Sequence, residues 1–391
     1  MFPQVRLGDI AKVVSGYAFK SSAFKEGGAV PVLKIKNIKI GTASLSDAGY
    51  VSEDYQNRLE RKFHVFPGDI LISLTGSHMT QPNSVVGRVG RYPKNNKKAL
   101  LNQRAGKVIP DSKLVNADFL FYVLMQQDVR KEIAQMASGA ASQANISPSQ
   151  IESIEVPLPA LSQQKEIGEL FACYDNLIEN NNSRIAILEK MAQSLYREWF
   201  VKFRFPGHQT CQFKDSPLGQ IPEGWEVKIL KDVLELAYGK ALKKEYRRGG
   251  DVAVYGSGGL GGWHDESLVK GPSIIVGRKG NVGSVFWVDE DCWPIDTVFY
   301  VKSDFSKFFL YYNLLFQIFH NSDAAVPGLN RESAYSNKLI FPEKSILDNF
   351  NTYIEPLFGQ LKVLRKKTVN LKEQRDMLLP KLISGQIQLE H

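Results

Sequence analysis

Few residues in this 391-residue chain are spaced for catalysis. Gly256-Ser257-Gly258-Gly259-Leu260-Gly261 fits the pattern G-x-G-x-x-G and follows the apolar run Val252-Ala253-Val254-Tyr255. A nucleotide-binding loop of that kind must open a helix whose N-terminus faces phosphate. Here only about ten residues precede the Gly271-Pro272 turn, too few for a βαβ crossover, so a glycine-rich turn is expected instead. The Asn/Asp-Pro-Pro-aromatic tetrapeptide with which an amino-methyltransferase holds its target amine is absent. Pro110-Asp111-Ser112-Lys113 carries a nuclease-like carboxylate and lysine but has no matching acidic cluster, and reads as a surface turn. The six histidines include no H-x-x-x-H pair. Cys173, Cys211 and Cys292 form no C-x-x-C, which argues against a zinc site or a disulfide framework. The sequence therefore points away from catalysis, and no cofactor or metal is expected.

What the chain offers instead is basic and amide residues in loops. A net charge of +8 suits a polyanionic partner. Lysine and arginine attract phosphates, whereas Arg, Asn, Gln and acidic side chains tell base edges apart. The DNA-contact candidates in the first half are Lys20, Ser21, Lys36, Asn37, Arg88, Gln103, Arg104, Gln143 and Asn145. Those in the second half are Lys243, Lys244, Arg247, Arg248, Arg278, Lys279, Asn281, Asn330 and Arg331. Two pairs, Lys20 with Lys243 and Asn145 with Asn330, stand out because they recur at matching places. The aromatic runs around Phe119 and Phe309 read as core rather than as base-stacking platforms.

The elements that must position these residues occur twice, in the same order. Val5-Arg6-Leu7-Gly8-Asp9-Ile10 and Val227-Lys228-Ile229-Leu230-Lys231-Asp232-Val233 each lead to a glycine and then, four residues later, a lysine. The β-rich run Ile70-Leu71-Ile72-Ser73 answers Ile274-Ile275-Val276-Gly277, and both sit behind a Pro/Gly turn. Val86-Gly87-Arg88-Val89 answers Val282-Gly283-Ser284-Val285, and Phe119-Leu120 answers Phe309-Leu310. Small-residue loops follow at Ser138-Gly139-Ala140-Ala141 and Ala324-Ala325-Val326-Pro327. Both halves close on apolar segments ending in proline, at Val156-Pro157 and Phe341-Pro342. A repeat of about 180 residues is too long for a solenoid, whose units run to roughly 20–50 residues. Seven ordered echoes indicate a duplication.

A long helix follows each half. Positions 178, 181, 185, 188, 192, 195 and 199 alternate steps of three and four, as in a coiled-coil seam. Positions 347, 350, 354, 357, 361, 364, 368, 371, 375 and 378 do the same, with Asn181, Thr368 and Arg375 as the polar members. Parallel pairing would stretch a linker of about 18 residues to nearly 60 Å, so an antiparallel pair is expected. Such a pair gives the chain an internal pseudo-two-fold axis, a symmetry that dimeric DNA readers exploit.

At these residues the chain resembles the specificity subunits of type I restriction–modification systems, over essentially its whole length. The resemblance rests on Asn145-Ile146-Ser147, on Val156-Pro157-Leu158-Pro159-Ala160-Leu161-Ser162-Gln163-Gln164 and on Leu195-Tyr196-Arg197-Glu198-Trp199-Phe200. It also rests on Pro217-Leu218-Gly219-Gln220-Ile221-Pro222-Glu223-Gly224-Trp225 and Leu378-Leu379-Pro380-Lys381-Leu382-Ile383-Ser384-Gly385. It implies an α+β protein with two α/β target recognition domains joined by two long helices in an antiparallel coiled coil. The expected organisation is recognition domain 1 over 1–158, a central helix over 159–204, a linker and recognition domain 2 over 205–342, and a C-terminal helix over 343–391. The implied partners are double-stranded DNA, two methyltransferase subunits that bring S-adenosylmethionine, and motor-nuclease subunits. The second exit, Phe341-Pro342-Glu343-Lys344, is less regular than the first, which leaves room for two unlike docking surfaces.

Two other readings stand beside this one: a self-contained methyltransferase or nuclease, and a coiled-coil adaptor without DNA specificity. No run of eighteen apolar residues and no signal-like N-terminus is present, so a cytoplasmic protein without membrane contact is expected.

Overall fold

The computed structural model describes residues 2–77, 86–140, 143–319 and 328–389, with no side-chain description for Ala140 and Gln143. The loop residues Ala141, Ala324, Ala325, Val326 and Pro327 lie outside the described residues. The chain divides into two compact units, 1–179 with 368–391, and 180–367. Each unit thus takes a stretch of both long helices, where the sequence suggested helices separate from the recognition domains.

In the first unit the opening strand Gln4–Arg6 pairs antiparallel with the closing strand Glu155–Pro157. One helical turn, Leu7–Ile10, leads into strand Ala11–Ser15 at the edge of a five-stranded sheet. Across that sheet follow Ala105–Pro110, Ile70–Ser73, Val89–Arg91 and the short Gly41–Thr42. A second sheet holds Gly49–Val51, Val30–Leu33, Ala99–Leu101 and His64–Val65. The second unit repeats the frame: Glu226–Ile229 pairs with Lys338–Phe341, and the main sheet runs Glu235–Tyr238, Val298–Lys302, Ser273–Gly277, Val285–Val288. Its second sheet holds Gly259–His264, Val252–Gly256 and Cys292–Pro294.

Around the second sheet the two frames differ. In the first unit the connection between Gly49–Val51 and His64–Val65 carries the helix Asp54–Arg58 and the 3-10 turn Arg61–Phe63. In the second unit a single bridge, Val269 to Cys292, stands where His64–Val65 forms a strand. The glycine-rich motif at Gly256 is a two-residue hairpin: Gly256 pairs with Gly259, and strands rather than a helix flank it. That geometry leaves no helix N-terminus for a nucleotide phosphate. At Asp111 the carboxylate accepts the Lys113 N–H at 3.0 Å, the local turn that sequence suggested.

Each core is built where a short helix meets the sheet and the long helices. Helix Ala117–Met125 starts at Asn116, which accepts the Phe119 N–H at 3.0 Å, and Lys307–Phe316 starts at Ser306, which accepts the Phe309 N–H at 3.3 Å. Phe119, Leu120, Phe309 and Leu310 are all fully buried, so these runs are core. The long helices, Leu161–Tyr196 with 36 residues and Lys344–Ile383 with 40, would measure about 54 and 60 Å. In the first unit Ile167 and Phe171 share a core with Leu379, Leu382 and Ile383, and Arg375 reaches Asp175 at 2.6 Å. In the second, Trp199 packs on Phe350 and Arg365 reaches Glu189 at 2.8 Å. Rising numbers on one helix meet falling numbers on the other, so the pairing within each unit is antiparallel. Every expected seam position is buried or half-buried, whereas their immediate neighbours are largely exposed.

Candidate nucleic-acid interface

One end of the main sheet gathers most of the candidate residues in each unit. In the first unit, strand Ala11–Ser15 runs out into Gly16 and Tyr17, whose N–H groups donate to the Ala105 and Leu101 carbonyls at 2.9 and 2.8 Å. Gln103 returns a hydrogen bond from its N–H to the Tyr17 carbonyl at 2.9 Å, and the Leu74 N–H donates to the Arg104 carbonyl at 3.0 Å. Next to Leu74, Thr75 Oγ1 donates to Asn145 Oδ1 at 2.8 Å. Gln103, Arg104, Asn145 and Lys20 are therefore exposed residues of one edge. Gln143 lies in strand Gln143–Asn145, and its side chain is outside the described residues.

Equivalent positions in the second unit follow from the same hydrogen bonds. The Lys240 N–H donates to the Pro294 carbonyl at 3.0 Å, the Arg278 N–H to the Thr297 carbonyl at 2.9 Å, and the Leu329 N–H to the Arg278 carbonyl at 2.7 Å. Lys20 and Lys243 match: each is exposed and immediately precedes a single 3-10 turn, Ser21–Ala23 or Lys244–Tyr246.

Asn145 and Asn330 do not match. The Ile146 N–H donates to Leu74 as the Leu329 N–H does to Arg278, which aligns Asn145 with Gly328 and Asn330 with Ser147. Asn330 and Ser147 are both helix N-caps: Asn330 Oδ1 accepts from Glu332 and Ser333 N–H, and Ser147 Oγ from Gln150 N–H. The equivalence read from sequence was two residues out of register, and the cap accounts for Asn330.

Three further candidates are engaged internally. Asn37 is buried, its Oδ1 accepting the Lys34 N–H and its amide donating to the Ser46 carbonyl, both at 2.9 Å. It cannot offer an edge to a base without breaking that loop. Arg248 is exposed but holds Asp265 at 2.9 Å and Glu266 at 2.7 Å, and these carboxylates raise its affinity for its proton while cancelling its charge. Arg247 ties the preceding loop to the hairpin, donating to the Gly261 carbonyl at 2.6 Å and to the Leu242 carbonyl at 3.3 Å.

Arg88 is half-buried, donates to the Ile35 carbonyl at 3.0 Å beside exposed Lys36, and has its pKa lowered by burial. Ser21, Lys244, Lys279 and Asn281 are exposed, and Asn281 lies beside the Gly258 hairpin turn. Arg278 and Arg331 come together over one ring, Tyr238, each at 4.9 Å.

Sequence reasoning missed Tyr238 and the insertion of the first unit. There Arg58 stacks on Tyr55 at 3.8 Å and Lys62 lies 5.0 Å from the Phe63 ring, close to Tyr17. The interleaving of Arg58, Arg61 and Lys62 with Tyr55 and Phe63 was the available signal. Among the described residues no cluster of three His, Cys, Asp or Glu could hold a metal, and no helix is long and apolar enough to cross a membrane.

Comparison with known proteins decides the family. Residues 2–190 and 222–355 match the family described as Type I restriction modification DNA specificity domain. The chain belongs to this family. It is 25% identical to the type I restriction enzyme MjaIX specificity subunit of Methanocaldococcus jannaschii, over 98% of this chain and 93% of that one. To the MjaVIII specificity subunit of the same organism it is 23% identical, over 99% and 93%. Among solved structures, the S subunit of a type I restriction–modification system from M. genitalium shares the fold, with a TM-score of 0.65 at 17% identity over 98% and 96% of the two chains. Specificity subunits are non-catalytic, and the enzymatic activity lies in other subunits. The two matched stretches of this specificity subunit each contain one frame, in keeping with the duplication.

The two exits onto the long helices are built differently. Gln164 is buried, accepting the Asn116 N–H at 2.8 Å and donating to the Pro159 and Leu114 carbonyls at 2.8 and 3.2 Å. The same place in the second unit holds Leu347, buried in an apolar core.

Proposed function

We propose that this specificity subunit reads a bipartite DNA target, one half-site through each unit, and docks methyltransferase and motor-nuclease subunits. The observation that carries the reading is the repeated sheet edge: one frame, built twice, presents unlike loops at the same end. Identical frames with different loops suit two different half-site words. In this reading the recognition domains are 1–158 and 205–342, and the segments 159–204 and 343–391 space them and form the docking surface. The DNA contacts are Lys20, Ser21, Lys36, Arg88, Gln103, Arg104 and Asn145 in the first unit, with Gln143 retained from sequence. In the second they are Lys243, Lys244, Arg278, Lys279, Asn281 and Arg331. Lysines and arginines supply salt-dependent affinity, and the amides and Arg331 supply discrimination. The methyltransferase partners bring S-adenosylmethionine and flip the target base.

The test is to co-express the chain with its methyltransferase partner and map methylated bases across the genome. One split motif, lost when this chain is deleted, is the expected result. Methylation without a motif, or independent of this chain, contradicts the reading.

A further inference from the structure

Superposing the two frames by their hydrogen bonds shows where the duplicated copies part company. Tyr238 aligns with Ser15, since each is the last residue of its edge strand and pairs with the corresponding residue of the neighbour, Phe299 or Gly106. Arg278 aligns with Leu74, and Arg331 with Pro148. Ser, Leu and Pro in one copy become Tyr, Arg and Arg in the other, and both arginines meet the tyrosine ring. Three segments far apart in sequence thus diverged toward a single cluster.

The cluster has a definite construction. Tyr238 is 48% exposed at the sheet edge, with the Arg278 and Arg331 guanidinium carbons both 4.9 Å from its ring. Arg278 is partly spent, because its Nη1 donates to the Asp296 carbonyl at 3.1 Å. Arg331 is held by rings rather than by hydrogen bonds to the described residues. A second ring, Tyr335, lies 5.8 Å away and is itself fixed, its hydroxyl accepting the Leu236 N–H at 2.9 Å. The Arg331 Nε is shut off from solvent and meets no acceptor among the described residues; the Glu332 carboxylate stands at 3.9 Å, beyond hydrogen-bond reach. The side chain remains 36% exposed. The guanidinium is thus braced by two rings, its Nε meets no acceptor among the described residues, and its exposed part is left to an external acceptor of matching geometry.

We propose that Arg331 reads a guanine in the half-site of the second unit through O6 and N7, and that Tyr238 is its positioning residue. This rests on the DNA-reading function proposed above. Two acceptors on one base edge match the fork of a fixed guanidinium, the commonest specific arginine contact to DNA. A phosphate can take the same fork but carries no base identity, so the two contacts part in whether a guanine preference depends on Arg331.

The experiment uses the complex of this chain with its methyltransferase partner and measures methylation of duplexes carrying every base at each position of both half-sites. Arg331→Lys and Arg331→Gln are expected to lower methylation of the preferred site about 10–100-fold. They should also abolish the guanine preference at one position, leaving the other half-site unchanged. Tyr238→Ala should reproduce the relaxed preference, whereas Tyr238→Phe, which keeps the ring, should retain the guanine preference. A uniform loss on all duplexes, with the salt slope reduced by about one, makes Arg331 a phosphate contact and overturns the proposal. So does a half-site preference that survives both substitutions. A native complex with no preference at either half-site instead overturns the DNA-reading function itself.

Discussion

Gly16 and Gly239 occupy the same place in the two frames, each pressed against the strand beside it. A Cβ at Gly16 would stand 2.3 Å from the Leu101 carbonyl oxygen, and one at Gly239 would stand 2.1 Å from that of Ile295. Both are therefore sites where only a bare backbone fits, at the root of the loop that carries Lys20 or Lys243. Alanine at either position must push back a carbonyl rather than a flexible side chain. Gly16→Ala and Gly239→Ala should each destabilise the unit concerned by about 1–3 kcal/mol. Thermal or denaturant unfolding checks this, and an unchanged transition would show that the loop yields.

These glycines also show what a single sequence can reveal. Gly16 and Gly239 stand out because the flanking segments repeat, and the helix seam stands out because its period is local. Pairings across the fold were harder to see. Arg248 meets Asp265 and Glu266 only because a hairpin folds back between them, and Asn37 is consumed by Lys34 and Ser46 in a turn with no sequence signature. Asn145 and Asn330 seemed a pair because both precede a closing strand, but the true partner of Asn330 is the cap Ser147. Tyr238 was invisible for the opposite reason: its value depends on Arg278 and Arg331, which arrive from other loops.

Asp175 on the first long helix serves two partners. It accepts Arg375 at 2.6 Å and the Tyr122 hydroxyl at 2.7 Å. Burial and the adjacent carboxylate push the Tyr122 phenol far above its ordinary pKa, so it remains a donor at neutral pH. Asp175→Ala leaves the hydroxyl without that acceptor and should cost about 1–3 kcal/mol. Arg375→Ala breaks partly exposed ion pairs with Asp175 and Asp376 and should cost about 0.5–1 kcal/mol. Asp175→Asn, which keeps an acceptor for Tyr122, should fall between them. A double-mutant cycle on Asp175 and Arg375 isolates the pair, and equal costs for the two alanine variants would contradict this division.

Tyr92 predicts an alkaline limit for the first unit. Its hydroxyl donates to the Lys97 carbonyl at 2.6 Å, and burial first, then the charge of Tyr50, pushes its pKa up to about 12. An unfolded tyrosine titrates near 10, so the folded state keeps the proton longer and the unfolded state gains by losing it. The resulting stability is fully present below about pH 10 and is lost as pH rises toward 12. Tyr92→Phe cannot ionise and should lack this loss. The stability gap between native and variant chains should therefore narrow across that window, as measured by denaturant titration at successive pH values. A constant gap would show that Tyr92 titrates alike in both states.

In the proposed function, helix length is a specificity parameter. Removing one heptad from both long helices keeps the seam in register while shortening each by about 10.5 Å, or roughly three base-pair steps. The tolerated gap between half-sites should shrink, with the two half-site words unchanged. Genome-wide methylation mapping reads gap and words together. An unchanged gap in a fully folded complex would remove the helices from that role.

Lys20 and Lys243 allow the electrostatic part of binding to be separated from base reading. Each is exposed at a matching place, before a single turn and without an ion pair among the described residues. Arg248 is also exposed and basic, but Asp265 and Glu266 already take up its charge. Lys20→Gln and Lys243→Gln should each weaken DNA binding on all sequences and reduce the slope of log affinity against log salt by about one. Arg248→Gln should leave that slope nearly unchanged, because Arg248 is held by two carboxylates and makes no phosphate contact. The base preferences of both half-sites should survive all three substitutions. Binding titrations of the assembled complex at several salt concentrations check this, and a slope that falls with Arg248 but not with Lys243 would reverse the assignment of charge to the two loops.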